Sequence, residues 1–293
     1  MKPPRFAYHD PATRQDVFTL LDIYADDAKV LAGGQSLIPL LNMRLSQPGH
    51  LIDINRVADL AYIHEAEGGL VIGALTRQRD LERSPLVRRL CPLVAEAIPF
   101  IGHAPIRSRG TLGGSLAHAD PAAELPAVLL ALQGSVQVEF SSGRRRIEAR
   151  DFFLDQLQTA LQPKELLTEV WLPALPPRSG SAFLEVSRRH GDFALVGVAA
   201  QITLRANGTI SAAHLALTGV APTPIHAQQA ETLLREERPS EALFAAAARE
   251  VSIHLAPDTD LHASTEYRRS VAGVLVERTL RLAVERARQE GNR

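Results

Sequence analysis

The sequence predicts an α+β protein, with a main mixed domain reaching about residue 175 and a smaller C-terminal unit of three strands plus helices. Three observations carry that prediction. The first 170 or so residues alternate between helical and strand periodicity. Pro173–Gly180 (PALPPRSG) puts three prolines and a glycine into eight residues, as a linker does. Beyond it, strand-like runs at 181–188, 194–204 and 209–219 give way to Ala-, Glu- and Arg-rich helical periodicity over 227–235, 240–255 and 265–290.

In chain order, Val17, Leu20, Leu21 and Tyr24 predict a helix within Ala12–Ala25, with Thr13 available as its cap. Ala28–Ala32 is a short apolar strand that stops at Gly33-Gly34. Leu37, Leu40, Leu41 and Leu45 then have helical spacing, and Leu51–Ile54 reads as a strand. Tyr62–Ala66 and Leu70–Ala74, on either side of Glu67-Gly68-Gly69, predict a hairpin. Thr76 is placed to cap a short helix into Arg83. One helix is expected from Leu86 to Ile98, with Cys91 a buried member of it. An irregular stretch rich in Gly, Pro and His precedes a helix over Glu124–Leu132, which Gly134 stops. Strands follow at 135–140, 145–149 and Leu166–Leu172.

Composition narrows the function. With 293 residues the chain has room for about two domains. The 32 Lys+Arg and 33 Asp+Glu leave a net charge of −1, which argues against nucleic acid as a partner. Cys91 is the single cysteine, so no intrachain disulfide, Cys₄ iron–sulfur cluster or Cys-rich zinc site can be built from this chain. A lone thiol also suits a reducing compartment. Met1–Phe6 lacks the apolar stretch of a signal peptide, and no 18-residue apolar run exists, Gln201 interrupting the nearest one, Phe193–Leu204. A soluble, cytoplasmic protein without a membrane span is expected.

Two glycine-rich stretches need explaining. In Leu31-Ala32-Gly33-Gly34-Gln35-Ser36-Leu37 a strand runs into paired glycines and then a helix whose first turn begins near Ser36. Glycines let a ligand approach the backbone, and exposed amides favour an anion such as phosphate; the competing reading is a plain tight turn. About 80 residues later comes Arg109-Gly110-Thr111-Leu112-Gly113-Gly114-Ser115, read as a second loop of amide donors. It leads into Leu116-Ala117-His118-Ala119-Asp120-Pro121-Ala122-Ala123-Glu124, whose small side chains allow a bulky ligand to lie along the chain. Two such loops suit a pyrophosphate gripped from both sides. Neither stretch matches G-x-G-x-x-G or G-x-x-x-x-G-K-[ST], so the usual nicotinamide and ATP readings fail.

Ala32-Gly33-Gly34-Gln35-Ser36-Leu37-Ile38-Pro39 and Thr111-Leu112-Gly113-Gly114-Ser115, with the trailing Ala-His-Ala-Asp-Pro, closely resemble the FAD-binding medium subunit of molybdenum hydroxylases. That family includes the medium subunits of carbon monoxide, quinoline and nicotine dehydrogenases and the flavin domain of xanthine dehydrogenase. The resemblance implies a PCMH-type, vanillyl-alcohol-oxidase-like FAD-binding domain over residues 1–175, with subdomains of about 1–58 and 59–175. It implies a domain like that of the carbon monoxide dehydrogenase flavoprotein over 176–293.

By the same resemblance, Ala32, Gly33, Gly34, Gln35, Ser36 and Leu37 on one side, and Gly110, Thr111, Gly113, Gly114 and Ser115 on the other, hold the FAD pyrophosphate, mostly through backbone N–H groups. Ser115 stands where relatives carry Asn. Ile101 packs near the isoalloxazine, Leu166 and Leu167 flank the adenine end, and Glu124, in place of Asp, lies near the ribose. The His190-Gly191-Asp192 turn after Arg188-Arg189 lies near the flavin ring, where positive charge would stabilise reduced flavin; a solvated basic hairpin is the equal alternative. His118 and Asp120 form either an acid–base pair or a loop closure in which His118 packs near the cofactor. The second is preferred, because a flavin relay needs no base to deprotonate carbon. No residue is assigned a catalytic or metal-ligating role. Arg107 and Arg109 are open to pyrophosphate or to carboxylates, and Arg144-Arg145-Arg146 reads as a solvated hairpin edge.

Three functions compete. The first is an electron-transfer subunit that passes electrons from the 2Fe-2S clusters of a small subunit, through FAD, to NAD⁺, a quinone, a dye or oxygen. Molybdopterin then belongs to a large subunit, and the family implies a dimer of heterotrimers. The second is a self-contained FAD oxidoreductase with its own small-molecule substrate. The third is a non-redox module that binds another phosphorylated ligand.

Overall fold

The computed structural model describes residues 2–66 and 68–291. The chain opens with β1 (Ala7–His9), α1 (Arg14–Tyr24), β2 (Ala28–Leu31), α2 (Leu37–Asn42) and β3 (His50–Asp53). Thr13 caps α1, its hydroxyl accepting the Asp16 N–H. The three strands form a parallel sheet in the order β1-β3-β2. Val17, Phe18, Leu21, Ile52 and Ile54 fill a small core beside it, which also takes in Leu60, Leu75 and Leu166 from later in the chain. Helix α2 ends before Leu45, which is left 71% exposed.

The next segment holds β4 (Ile63–Ala66), β5 (Gly69–Gly73), α3 (Gln78–Arg83), α4 (Pro85–Leu90), α5 (Pro92–Ala97), α6 (Ala104–Arg109), α7 (Leu112–His118) and α8 (Glu124–Ala131). It continues with β6 (Ser135–Phe140), β7 (Gly143–Glu148), α9 (Ala149–Phe152), β8 (Phe153–Asp155), β9 (Gln158–Thr159) and β10 (Leu166–Pro173). An antiparallel sheet runs β4-β5-β10-β6-β7, and the main core lies between it and the helices. The expected hairpin forms from β4 and β5, although Glu67 lies outside the described residues.

Several local expectations are corrected. The helix expected over Leu86–Ile98 is two helices, because Pro92 has no N–H to continue the first. Cys91 is buried at the joint, outside either helix. Thr76 caps nothing: its hydroxyl donates to the Tyr62 carbonyl and accepts the Tyr62 N–H, and Arg77 stands at the N-cap of α3. The short β8–β9 pair carried no sequence signal. Arg144–Arg146 are not merely solvated. Arg145 makes two 2.8 Å bonds to Glu165, and the Arg146 guanidinium lies 4.6 Å over the Trp171 ring.

The last third comprises β11 (Ser179–Ser187), β12 (Ala194–Leu204), β13 (Ile210–Thr218), β14 (Ile225–His226), α10 (Gln228–Leu234), α11 (Glu241–His254) and α12 (Thr265–Gly291). The sheet has four strands, not three: after Pro222 and Pro224 the chain turns back, so that Ile225 and His226 pair with Leu217 and Ala216. One face packs on α10 and α12, and α11 packs on those two helices. The other face, through Phe183, Ala199 and Ala216, packs on α5 and α8 and joins the main core. Buried on both faces, β12 is apolar along its length but for Gln201 and Thr203. Helix α8, buried at every position, is clamped between the two sheets. Among the described residues no helix is long and apolar enough to cross a membrane.

Candidate functional site

The two glycine stretches meet. A Cβ on Gly33 would lie 2.4 Å from the Arg109 carbonyl oxygen and 2.9 Å from the Gly110 Cα, so only glycine fits where the backbones touch. A Cβ on Gly114 would come within 3.9 Å of the Ala32 Cβ. Gly34 takes φ +75°, which turns the chain out of β2 and into α2. Among the described residues, no acceptor faces the N–H groups of Gly33, Gly34, Gln35, Ser36 or Leu37, while the Gln35 side chain donates to the Gly33 carbonyl. Five consecutive amides without an acceptor form a run of donors that suits an anion.

The second stretch contributes differently from the loop of donors expected. It is the start of α7, capped by Thr111, whose Oγ1 accepts the Gly114 N–H at 3.0 Å. The Leu112 N–H donates to the Thr76 carbonyl at 3.0 Å, and the Gly113 N–H to the Ala74 carbonyl at 2.9 Å. Gly110, Gly113, Gly114 and Ser115 therefore offer no free amide. Among residues 110–115 only the Thr111 N–H lacks an acceptor among the described residues. The glycines are present for packing, since a Cβ on Gly113 would lie 2.5 Å from the Ala74 Cβ.

Two residues that sequence reasoning passed over tie the stretches together. The Asn55 amide donates to the Ala32 carbonyl (2.8 Å) and to Asp53, and its own oxygen accepts from Arg77 Nη2 (2.7 Å). Arg77 Nη1 donates to the Arg109 carbonyl (2.6 Å). Burial, with Arg109 nearby, lowers the Arg77 pKa. Neither residue belongs to a motif; only their partners, about 20 to 30 residues away, reveal them.

From the cradle, a half-exposed track runs along α7 through Ser115 and His118 to Asp120. His118 Nε2 is 4.0 Å from Asp120, too far for a hydrogen bond. Asp120 instead accepts the Ala122 N–H at 2.9 Å and closes the turn before Pro121. Burial lowers the His118 pKa against the opposing pull of Asp120. Glu124 starts α8, only 5% exposed, and burial raises its pKa to about 7. Leu166 and Leu167 are both buried, one in the first small core and the other in the main core, so β10 begins where the two cores adjoin. Arg107 is committed to Glu82 and to the Ile101 and Gly102 carbonyls, which removes it as an anion ligand. Arg109 keeps an exposed side chain.

Ile101 and Asp192 lie in two segments that the fold brings together. The Arg189–Asp192 turn, closed by the Asp192 N–H on the Arg189 carbonyl, packs Gly191 against His103. The His103 and His190 rings are 5.8 Å apart. Arg188 reaches His262 at 3.0 Å, and Phe193 remains 63% exposed at the end of this turn.

With its cradle of backbone donors in the N-terminal part and a second α+β unit after it, the chain matches flavoproteins of the molybdopterin dehydrogenase type. Residues 4–175 match the family described as "FAD binding domain in molybdopterin dehydrogenase", and residues 181–283 match "CO dehydrogenase flavoprotein C-terminal domain". The chain belongs to this family of FAD-binding oxidoreductase subunits. It is 45% identical to the 6-hydroxypseudooxynicotine dehydrogenase complex subunit alpha of Paenarthrobacter nicotinovorans, over 98% of this chain and 97% of the relative. It is 39% identical to the carbon monoxide dehydrogenase medium chain of Hydrogenophaga pseudoflava, over 97% and 98%. The solved carbon monoxide dehydrogenase from that organism superposes with a TM-score of 0.95, covering 98% of this chain and 99% of that one. Quinoline 2-oxidoreductase from Pseudomonas putida 86 follows at 0.92 with 35% identity, covering 99% and 100%.

Proposed function

We propose that this chain carries FAD as the electron-transfer subunit of a heteromeric molybdenum hydroxylase. Electrons enter from 2Fe-2S clusters on a small subunit and leave to an external acceptor, while molybdopterin resides on a large subunit. The observation that carries the reading is the five-amide cradle at 33–37, closed from behind by Arg109–Gly110. Bound FAD supplies a centre that takes electrons one at a time and releases them in pairs.

This chain's own residues bind and orient. Gly33 to Leu37 and Thr111 would hold the pyrophosphate by N–H donation, and the Asn55–Arg77 clamp fixes the spacing of the two walls. Ser115, His118 and Glu124 would follow the ligand along α7 toward its sugar. Ile101, with the turn at Asp192, would border the ring. Leu166 and Leu167 would back the adenine end from within the cores. Cys91 supports the need for a cluster-bearing partner: it is a single thiol, buried and donating to the Pro173 carbonyl, with its pKa raised to about 12. The relatives named as medium chains support the same assignment.

The test is reconstitution of the purified chain with FAD, followed by anaerobic additions. The expected result is one flavin per chain, reduced rapidly only when a reduced small subunit is supplied. Failure to bind flavin would overturn the cofactor assignment. Rapid reduction by an alcohol without partners would overturn the subunit role.

A further inference from the structure

Glu185 on β11 faces the FAD-binding domain across the seam between the two units. Its directly paired neighbour on β12 is Gly197, and the next in the row, on β13, is Thr218. Thr218 Oγ1 lies 2.7 Å from the Pro121 carbonyl oxygen and 2.8 Å from that of Ala123, which fixes the chain just ahead of Glu124 to this face of the sheet. Gly197 leaves the row open between Thr218 and Glu185. A Cβ there would lie 2.7 Å from Thr218 Cγ2 and 3.2 Å from the Phe183 ring. Glu185 and the start of α8 at Glu124 thus lie on the same face of this sheet, at the end of the α7 track. Glu185 Oε2 is buried without a hydrogen-bond partner. Among the described residues, the Glu124 carboxylate accepts only from its own backbone N–H.

We propose that Glu185 is a cofactor-positioning residue, and that it and Glu124 hold one proton between them to present a paired donor and acceptor to the sugar hydroxyls of FAD. This rests on the reading of the chain as an FAD subunit. A hydroxyl both donates and accepts, so it complements a carboxyl–carboxylate pair, which would otherwise be buried unsatisfied. The seven residues of α7 extend about 10 Å at ~1.5 Å rise each, so a ligand anchored at the cradle and lying along the helix reaches the pair. Burial, then the charge of the other carboxylate, raises Glu185 to about 8, in keeping with a shared proton. The surrounding charges do not replace that proton. On the α8 side stand Asp120, which raises Glu124, and His118 at 4.0 Å from Asp120. On the sheet side Gly197, Ala199 and Thr218 are uncharged, and Glu96 of α5 is occupied by Arg286 of α12.

The test compares FAD affinity of the full-length chain and of Glu185→Gln, which imitates the protonated side chain, between about pH 6 and pH 9 by flavin fluorescence. The wild type is expected to lose roughly tenfold in affinity over that range as the second carboxyl ionises, and the variant less than about twofold. Superimposable pH profiles would overturn the proposal. Infrared spectra of the apoprotein at neutral pH give an independent reading. A protonated-carboxyl band lost in Glu185→Gln supports the shared proton, and absence of that band from the wild type rejects it. If the wild type takes up no FAD at any pH, the subunit reading fails, and the infrared result still decides the proton.

Discussion

Gly33 shows how much one absent side chain does. Any Cβ there meets the Arg109 carbonyl at 2.4 Å, so Gly33→Val must push the two walls of the cradle apart. Flavin content of the purified variant should fall, with affinity down at least ~10-fold, while the C-terminal unit stays folded. Cys91 should resist thiol reagents in the native protein at mildly alkaline pH and react fully once unfolded, because burial has raised its pKa to about 12. Glu124 and Glu185 bind protons more tightly when folded than when unfolded. Stability should therefore decline as pH rises from their ordinary range near 4.5 through about 7 and 8, then level off. Chemical-denaturation midpoints across that window should show a shallower decline in Glu185→Gln.

At the scale of elements, a strand end, a short helix and the start of α7 are held in register by side chains from between them. Arg77→Ala removes two hydrogen bonds, to the Arg109 carbonyl and to the Asn55 oxygen. The expected loss is about 1–3 kcal/mol of FAD binding, read by titration, with the secondary structure intact. Arg77→Lys, which cannot span both acceptors, should fall between. The same contacts explain what was readable in advance and what was not. Thr13 ahead of Val17, Leu20 and Leu21 is a local signal, and α1 follows it. Thr76 has the same look but bonds to Tyr62, 14 residues away, and no local pattern records that choice. The triple-glycine stretch does mark a close approach, but that of the chain at Ala74 and not the expected loop of donors around a ligand. Its N–H groups are taken up within the fold, those of Leu112 and Gly113 by the carbonyls at 76 and 74 and those of Gly110, Gly114 and Ser115 by acceptors in their own helices and cap.

Over the whole molecule, the C-terminal sheet docks on α5 and α8 with the Phe183 ring tilted 60° against that of Phe100, and through the two-pronged contact of Arg286 with Glu96. Arg286→Ala leaves the half-buried Glu96 unpaired. It should weaken the seam by about 1–2 kcal/mol and split one thermal transition into two in calorimetry. The order of helices and strands follows from the periods of apolar residues, and a count of one thiol excludes an iron–sulfur cluster of this chain's own, while FAD was legible only through the resemblance of the two glycine stretches to a known family. Which amides remain free, which arginine clamps and which stays exposed, and which carboxyls are buried depend on contacts between residues tens of positions apart. Hydrogen bonding and burial are properties of the assembled neighbourhood, and only the fold creates that neighbourhood.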